Sequence, residues 1–393
     1  MKVGTTCKQI AIDIRKIGKK STGSETYFYY LVKELAKLAE SKKHRFLLLT
    51  DDRVARVKKI LGSLPKNFEI FRVTPTSKAL WTFYSLPRFL KKNPVDIFHT
   101  EFILPFYLSH QTKMVTVVHD ISFKINPRWI TGKDSFILNR LIPLSLRRAD
   151  AVVAVSQFTK DEIVREYRCP EDKITVTYPA VDTRYFCSIS QEEAQREVAK
   201  ILGARFPFLL HISSLQPRKN VPMIIQSFGK IKKAAAKNLK LVIVGSRNGY
   251  NFDQKIDEEI QRQVLAGNIK LGDVIVTGYR PMSQLPYFYQ AAEAFVFPSA
   301  YEGFGIPLIE SMACGVPVVI SDIPVFREVA GNAAVYVDIG KKNKAEKLAG
   351  AVKKLLVSKK LRAEKIRLGR ERIKSFNWSQ LAKKTLGIYD RLV

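Results

Sequence analysis

The sequence predicts an α/β protein made of two doubly wound parallel-sheet domains, and three observations carry that expectation. Short apolar runs alternate with longer amphipathic segments along the whole chain, the pattern of β-α units around parallel sheets. The pattern restarts after residue 205, and 393 residues suffice for two cores of ordinary size. Runs in the first half close on a polar residue at their C-terminal end, where open α/β sheets place their ligands.

"KQIAIDI" reads as the first strand and "SETYFYYLVKELAKLAE" as the first helix, with Ser24 as its N-cap. "RFLLLTD", "VDIFHT", "KMVTVVHD" and "ADAVVAVS" follow as strands of the first sheet. The second sheet is expected from "FPFLLHIS", "LKLVIVGS", "DVIVTG", "AEAFVFPS" and "VPVVIS", separated by helices such as "VPMIIQSFGKIKKAAAK". The junction falls near residues 183–205, and the lysine-rich closing segment reads as helices with a solvated face.

Composition narrows the function classes. No run reaches the roughly 18 to 20 apolar residues of a spanning helix. The N-terminal stretch "MKVGTTCKQIAIDIRK" lacks the apolar core of a secretory signal, so the expectation is a cytoplasmic protein, peripheral on the inner face of the membrane if it meets one. Cys7, Cys169, Cys187 and Cys314 are scattered, with neither a CxxC pair nor zinc spacing. The formal charge of +30 is spread evenly: residues 1–190 hold 33 of the 66 basic and 18 of the 36 acidic residues. An even field favours anionic partners in general over a discrete nucleic-acid stripe, and no nucleic acid is expected.

The most informative stretch is "FPSAYEGFGIPLIESMACGVPVVISD", residues 297–322. A buried strand should end at Pro298, Gly303 and Gly305 should supply a turn, and Pro307 suits the first turn of a helix. Glu302 then lies on the loop and Glu310 one turn inside the helix. Backbone N–H groups from Gly303, Phe304, Gly305 and Ile306 would point outward at a helix N-terminus, which favours phosphate. A carboxylate on each side can accept hydrogen bonds from vicinal sugar hydroxyls. Taken singly, each glutamate has a plainer reading, Glu310 as a partner of the helix dipole and Glu302 as a loop acid.

Glu302 and Glu310, with seven residues between them in "PSAYEGFGIPLIESMACGVPVV", resemble the signature of retaining glycosyltransferase family four, also called glycosyl transferase group 1. The likeness spans nearly the whole chain. It implies the GT-B architecture, two facing Rossmann-like domains with a cleft between them. The boundaries it implies are an acceptor-side domain over residues 1–185, a nucleotide-sugar domain over 186–375, and a final helix, 376–393, packing back on the first domain. It further implies that Glu302 contacts donor-sugar hydroxyls, that Phe304 and Gly305 approach sugar and phosphate through backbone groups, and that Glu310 binds the ribose.

Other positions follow from the same resemblance. "HISSLQPRKN" is similar to the family's diphosphate-binding segment, with Lys219 in the usual lysine position and Ser214 where an arginine is more common, so Arg218 supplies the second charge. Such cations stabilise a departing diphosphate. "TVVHDISF" puts His119 and Asp120 at a strand end on the sugar and acceptor side. "STGSETYFYYL" resembles the N-terminal donor loop, of whose glycines Gly23 remains. Tyr279 and Arg280 match positions beside the base. His99 and Ser156 fit the N-domain pattern and fit equally well as a strand-end residue and an N-cap.

There is no DxD triplet and no metal-ligand cluster, so neither a metal nor another cofactor is expected beyond the donor itself. "SKALWTFYSLPRFLKKNP", residues 77–94, interleaves aromatics with cations, and two readings stay open: a dock on an anionic membrane carrying the acceptor, or a half-buried helix. The wording around "PRKN" and "SAYEGFGIP" is similar to mannosyltransferase-like members that build polysaccharide or glycolipid on a saccharide or lipid-linked acceptor. GDP-mannose is the first donor candidate and a UDP-hexose the second. The rivals are a GT-B sugar-nucleotide epimerase and a basic nucleic-acid-binding protein. A Rossmann dehydrogenase is disfavoured because "RKIGKKSTGSET" lacks GxGxxG spacing.

Overall fold

The computed structural model describes residues 7–19, 22–74, 80–186, 189–234, 238–340 and 342–392. Cys187, residues 77–79 of the aromatic segment and the 235–237 end of one expected helix lie outside them. The chain forms two compact units, one of Met1–Ile125, Gly132–Pro179 and Asn377–Val393, the other of Asn126–Thr131 and Ala180–Phe376.

In the first unit, β1 (Gln9–Asp13), β2 (Arg45–Thr50), β3 (Phe68–Arg72), β4 (Ile97–Glu101), β5 (Lys113–Val118), β6 (Ala151–Ala154) and β7 (Ile174–Val176) form a parallel sheet in the order β3-β2-β1-β4-β5-β6-β7. The central strands are buried on both faces, as β1 and β6 show, because helices cover both sides of such a sheet. The Trp378–Leu392 helix completes this unit: Trp378 stacks on Tyr30 at 4.7 Å, and Tyr389 is hydrogen-bonded to His99.

In the second unit, β8 (Phe208–Ile212), β9 (Lys240–Val244), β10 (Val274–Val276), β11 (Ala294–Phe297), β12 (Val318–Ser321) and β13 (Ala334–Val337) are parallel in the order β10-β9-β8-β11-β12-β13. Its core joins Leu209, Leu241, Ile243 and Val296 of the sheet to Phe228, Ile231, Leu348 and Val352 of the helices above. The strand order reverses between β1 and β4 in one sheet and between β8 and β11 in the other. In open α/β sheets these reversals open a crevice at the strands' C-terminal ends, which is where ligands bind.

Some local expectations are corrected. The first helix runs Thr22–Leu35, so Ser24 and Gly23 sit inside its first turn, Ser24 is not the N-cap, and Gly23 is not on a loop. Glu25 instead closes the preceding turn, accepting a hydrogen bond from the Gly18 amide at 2.7 Å. Arg218 and Lys219 lie on a short 3-10 turn, Pro217–Lys219. In the aromatic segment Trp81, Leu86 and Leu90 are buried, Phe83 stacks on Phe106 at 5.2 Å, and Phe89 lies against Phe71, so one side is buried while Tyr84 and Arg88 stay exposed.

Candidate active site

The second unit assembles its cluster at the β8/β11 reversal. β11 leads into a loop carrying Glu302, and the loop after β8 carries Arg218 and Lys219. Because β8 and β11 pair directly, the two loops meet: the Ala300 amide donates to the Arg218 carbonyl at 2.8 Å. Glu302 is 6% exposed. Its Oε1 is ion-paired with Lys219 Nζ and its Oε2 with Arg218 Nη1 at 3.1 Å. Arg218 Nη1 also donates to the Tyr301 carbonyl at 3.0 Å. Burial alone would push the Glu302 carboxyl up, but Lys219 and then Arg218 outweigh it and hold it below its ordinary 4.5. One anion between two cations leaves the cluster with a net positive charge, suited to a diphosphate.

Two features beneath the cluster were not singled out from the sequence. Lys219 Nζ stands 5.4 Å from the centroid of Phe297, so the ring face shares its charge. His211, buried in β8, donates from Nδ1 to the Val296 carbonyl at 2.8 Å, which leaves Nε2 to accept from the Ser213 hydroxyl at 2.7 Å. Burial, with Lys219 adding to it, lowers this imidazole to about 4, so it is neutral and adds no charge below the cations.

The helix Ile306–Ala313 starts where the loop ends. Gly305 turns the chain into it at φ +96°, and a Cβ there would meet Phe326 Cε1 at 3.0 Å. Phe304 is buried, with its ring edge-on to Phe376 at 5.3 Å, so its side chain faces the core. Glu310 lies one turn inside the helix and is itself buried. Tyr289 Oη donates to its Oε2 at 2.8 Å, and burial pushes its carboxyl up to about 7 against the lowering effect of that bond.

Tyr279 and Arg280 follow β10 at the sheet edge. In the sheet order β10 stands three positions from β11. Arg280 is half-buried, and its Nε has no hydrogen-bond partner among the described residues.

In the first unit, the ends of the paired strands β4 and β5 bring together Glu101 and His119. Glu101 is the residue sequence reasoning missed. Its Oε1 pairs with Lys16 Nζ at 3.1 Å, and its Oε2 faces His119 Nε2 at 3.5 Å, too long for a directed hydrogen bond. Burial would raise the Glu101 carboxyl, but His119, Lys16 and Ser24 hold it down at about 2. The imidazole stands edge-on to Tyr27 at 5.2 Å and tilted against Phe102 at 5.8 Å. Phe102 itself adopts φ +56°, a left-handed conformation that costs a bulky residue about 1–3 kcal/mol and re-aims the chain directly after Glu101.

The remaining candidates have structural partners. Asp120 Oδ1 accepts from the Ser122 amide at 2.9 Å and from the Ser122 hydroxyl at 2.7 Å. Ser156 caps the Gln157–Tyr167 helix. His99 is buried inside β4 against Tyr389. Among the described residues, no three histidine, cysteine, aspartate or glutamate side chains converge on a common point as a metal set would.

Two parallel-sheet units, each with charged side chains gathered at its strand-order reversal, define a nucleotide-sugar enzyme of the GT-B class. The chain belongs to the glycosyl transferases group 1 family: residues 193–372 match that family, and residues 21–185 match Glycosyltransferase Family 4. It is similar to O-antigen chain mannosyltransferase B of Escherichia coli, 30% identical over 73% of each chain. It is also similar to O-antigen chain mannosyltransferase RfbU of Salmonella typhimurium, 30% identical over 83% of this chain and 86% of that one. Anabaena HepE, solved with UDP-glucose, superposes with a TM-score of 0.73 over 98% of this chain and 100% of its own, at 17% identity, a likeness of fold. The protein is thus a hexosyltransferase that takes its sugar from a nucleotide-sugar donor. Among the described residues no helix is long and apolar enough to cross a membrane.

Proposed function

We propose that the protein moves mannose from GDP-mannose, with retention of anomeric configuration and without a divalent ion, to a saccharide or lipid-linked acceptor during polysaccharide or glycolipid assembly on the inner face of a membrane. The observation that carries the reading is the Glu302–Lys219–Arg218 cluster at the foot of the Ile306–Ala313 helix, with Glu310 one turn further in. Mannose is favoured by the names of the relatives at 30% identity, and a UDP-hexose stands second.

In this reading Glu302 holds donor-sugar hydroxyls and Glu310 the ribose. Arg218, Lys219 and the backbone of Gly303, Phe304, Gly305 and Ile306 take the charge that builds on the diphosphate as the bond to the sugar's anomeric carbon breaks. The acceptor oxygen bonds to that carbon on the same face, and its proton passes to the departing diphosphate. The two cations supply the neutralisation that a metal provides elsewhere. His119 lines the sugar and acceptor side, Glu101 fixes its orientation, and Asp120 shapes the adjacent turn. Tyr279 and Arg280 lie beside the base, and Gly23 keeps the first helix close to the donor.

Calorimetry and thermal shift against GDP, UDP, ADP and their sugar conjugates, with EDTA present, test the reading. It predicts that GDP and GDP-mannose bind best and that Glu310→Ala weakens them. Stabilisation by nucleic acid alone, or donor binding that EDTA abolishes, contradicts the transferase reading or its metal-free part respectively.

A further inference from the structure

We propose that the exposed face of the Gly132–Arg148 helix, continued by Tyr107 and Tyr84, is the surface on which the protein sits against an anionic lipid bilayer. The inference rests on the membrane-peripheral reading above and names the side chains that make the contact. Beyond Gly132 at its start, the exposed residues of this helix are Lys133, Phe136, Arg140, Leu144 and Arg147. Steps of three and four residues put them on one stripe, along which cations and apolar groups alternate over about 21 Å.

Phe136 is 63% exposed and Leu144 41%, and the Arg140 guanidinium lies 5.2 Å from the Phe136 ring centroid. At the far end of the helix, Arg148 Nη1 donates to the Phe106 carbonyl at 2.6 Å, and Phe106 stacks on Phe83. That stack carries Tyr107, 80% exposed, and Tyr84, 49% exposed, whose hydroxyl accepts from Arg88 at 3.3 Å. A chain of contacts thus links the C-terminal end of the helix to Tyr84 and Arg88.

Its charge selects the occupant. Between Phe102 and Arg148 the sequence holds two acids, Asp120, which is engaged by Ser122, and Asp134 in the helix's first turn. Arginine and lysine stems can lie along an apolar surface while their charged ends reach phosphates, and tyrosines suit the headgroup level. A nucleic-acid backbone would meet the cations but leave Phe136 and Leu144 in water. An anionic bilayer accommodates both kinds of side chain.

The test is flotation of the full-length protein with vesicles of phosphatidylcholine alone and of equal parts phosphatidylcholine and phosphatidylglycerol. Wild type is expected to float with the anionic vesicles only. Arg140→Glu with Arg147→Glu, and separately Phe136→Ser with Leu144→Ser, should each lower the bound fraction at least about tenfold. Lys359→Glu with Lys360→Glu, exposed charges on a helix of the other unit, should float like wild type, and circular dichroism establishes that all variants fold. If wild type never floats, the membrane-peripheral reading falls, and this surface with it. If wild type floats and either stripe variant floats equally well, the membrane reading stands and this surface is wrong.

Discussion

Lys219 and Glu302, 83 residues apart in the chain, form a buried ion pair that exists because β8 and β11 are sheet neighbours. Breaking such a pair from one side leaves an uncompensated buried charge, which typically costs about 3–5 kcal/mol. Glu302→Ala should therefore lose stability on that scale and donor turnover by about a hundredfold or more. Glu302→Leu combined with Lys219→Met should recover much of the stability and none of the turnover. Denaturant unfolding and nucleotide release measure the two; a double variant as unstable as the single one would mean that the pair is not what holds this loop.

Glu310 makes stability depend on pH in the opposite sense to an ordinary paired carboxylate. Burial raises its folded value to about 7 from an ordinary 4.5, so the folded state keeps a proton that the unfolded chain has released. Its contribution is fully present below about pH 4.5 and is lost as pH rises through about 7. Glu310→Gln has no proton to lose, and should gain stability relative to wild type between pH 5 and pH 8, by roughly 3 kcal/mol at most. Unfolding of both proteins at the two pH values gives the difference directly; an unchanged difference removes the buried-acid account.

Glu101 and His119 are expected to act as a unit. Glu101→Gln keeps the shape and removes the charge facing Nε2, so it should lower kcat for sugar release from the donor more than it alters KM. In a His119→Ala background the same change should do little, with a coupling of roughly 0.5–3 kcal/mol. A full Glu101 effect in the absence of the imidazole would show that the carboxylate works elsewhere.

How far sequence reasoning reached follows from what each signal encodes. The central strands are continuous apolar runs because both their faces are covered, and they were readable at once. β3, β7 and β13 were missed, and all three are sheet edges whose residues are largely half-exposed, so their composition does not stand out. Glu302 and Glu310 were legible because one loop and one helix hold both. That Lys219 and Arg218 close on Glu302 was not, since strand order creates the contact. Glu101 escaped for the same reason: a lone acid ending a strand has no local pattern, and its partner His119 lies beyond the neighbouring strand.

Gly305 offers the sharpest separation of fold from site. Its φ of +96° is unfavourable to any residue with a Cβ, and the added atom would press on the Phe326 ring at 3.0 Å. Gly272 has a similar φ of +84°, but a Cβ added there would meet nothing within 4 Å, and it lies in a turn before the edge strand β10. Backbone strain alone therefore acts in Gly272→Ala, whereas Gly305→Ala adds a steric push on the residue that aims the Ile306–Ala313 helix. Both should lose stability, about 1–3 kcal/mol from the backbone strain. Nucleotide affinity should fall about tenfold or more, roughly 1.4 kcal/mol, in Gly305→Ala and stay at the wild-type value in Gly272→Ala. Paired unfolding and calorimetric measurements decide it: equal affinities in the two variants would show that the start of this helix takes no part in holding the donor.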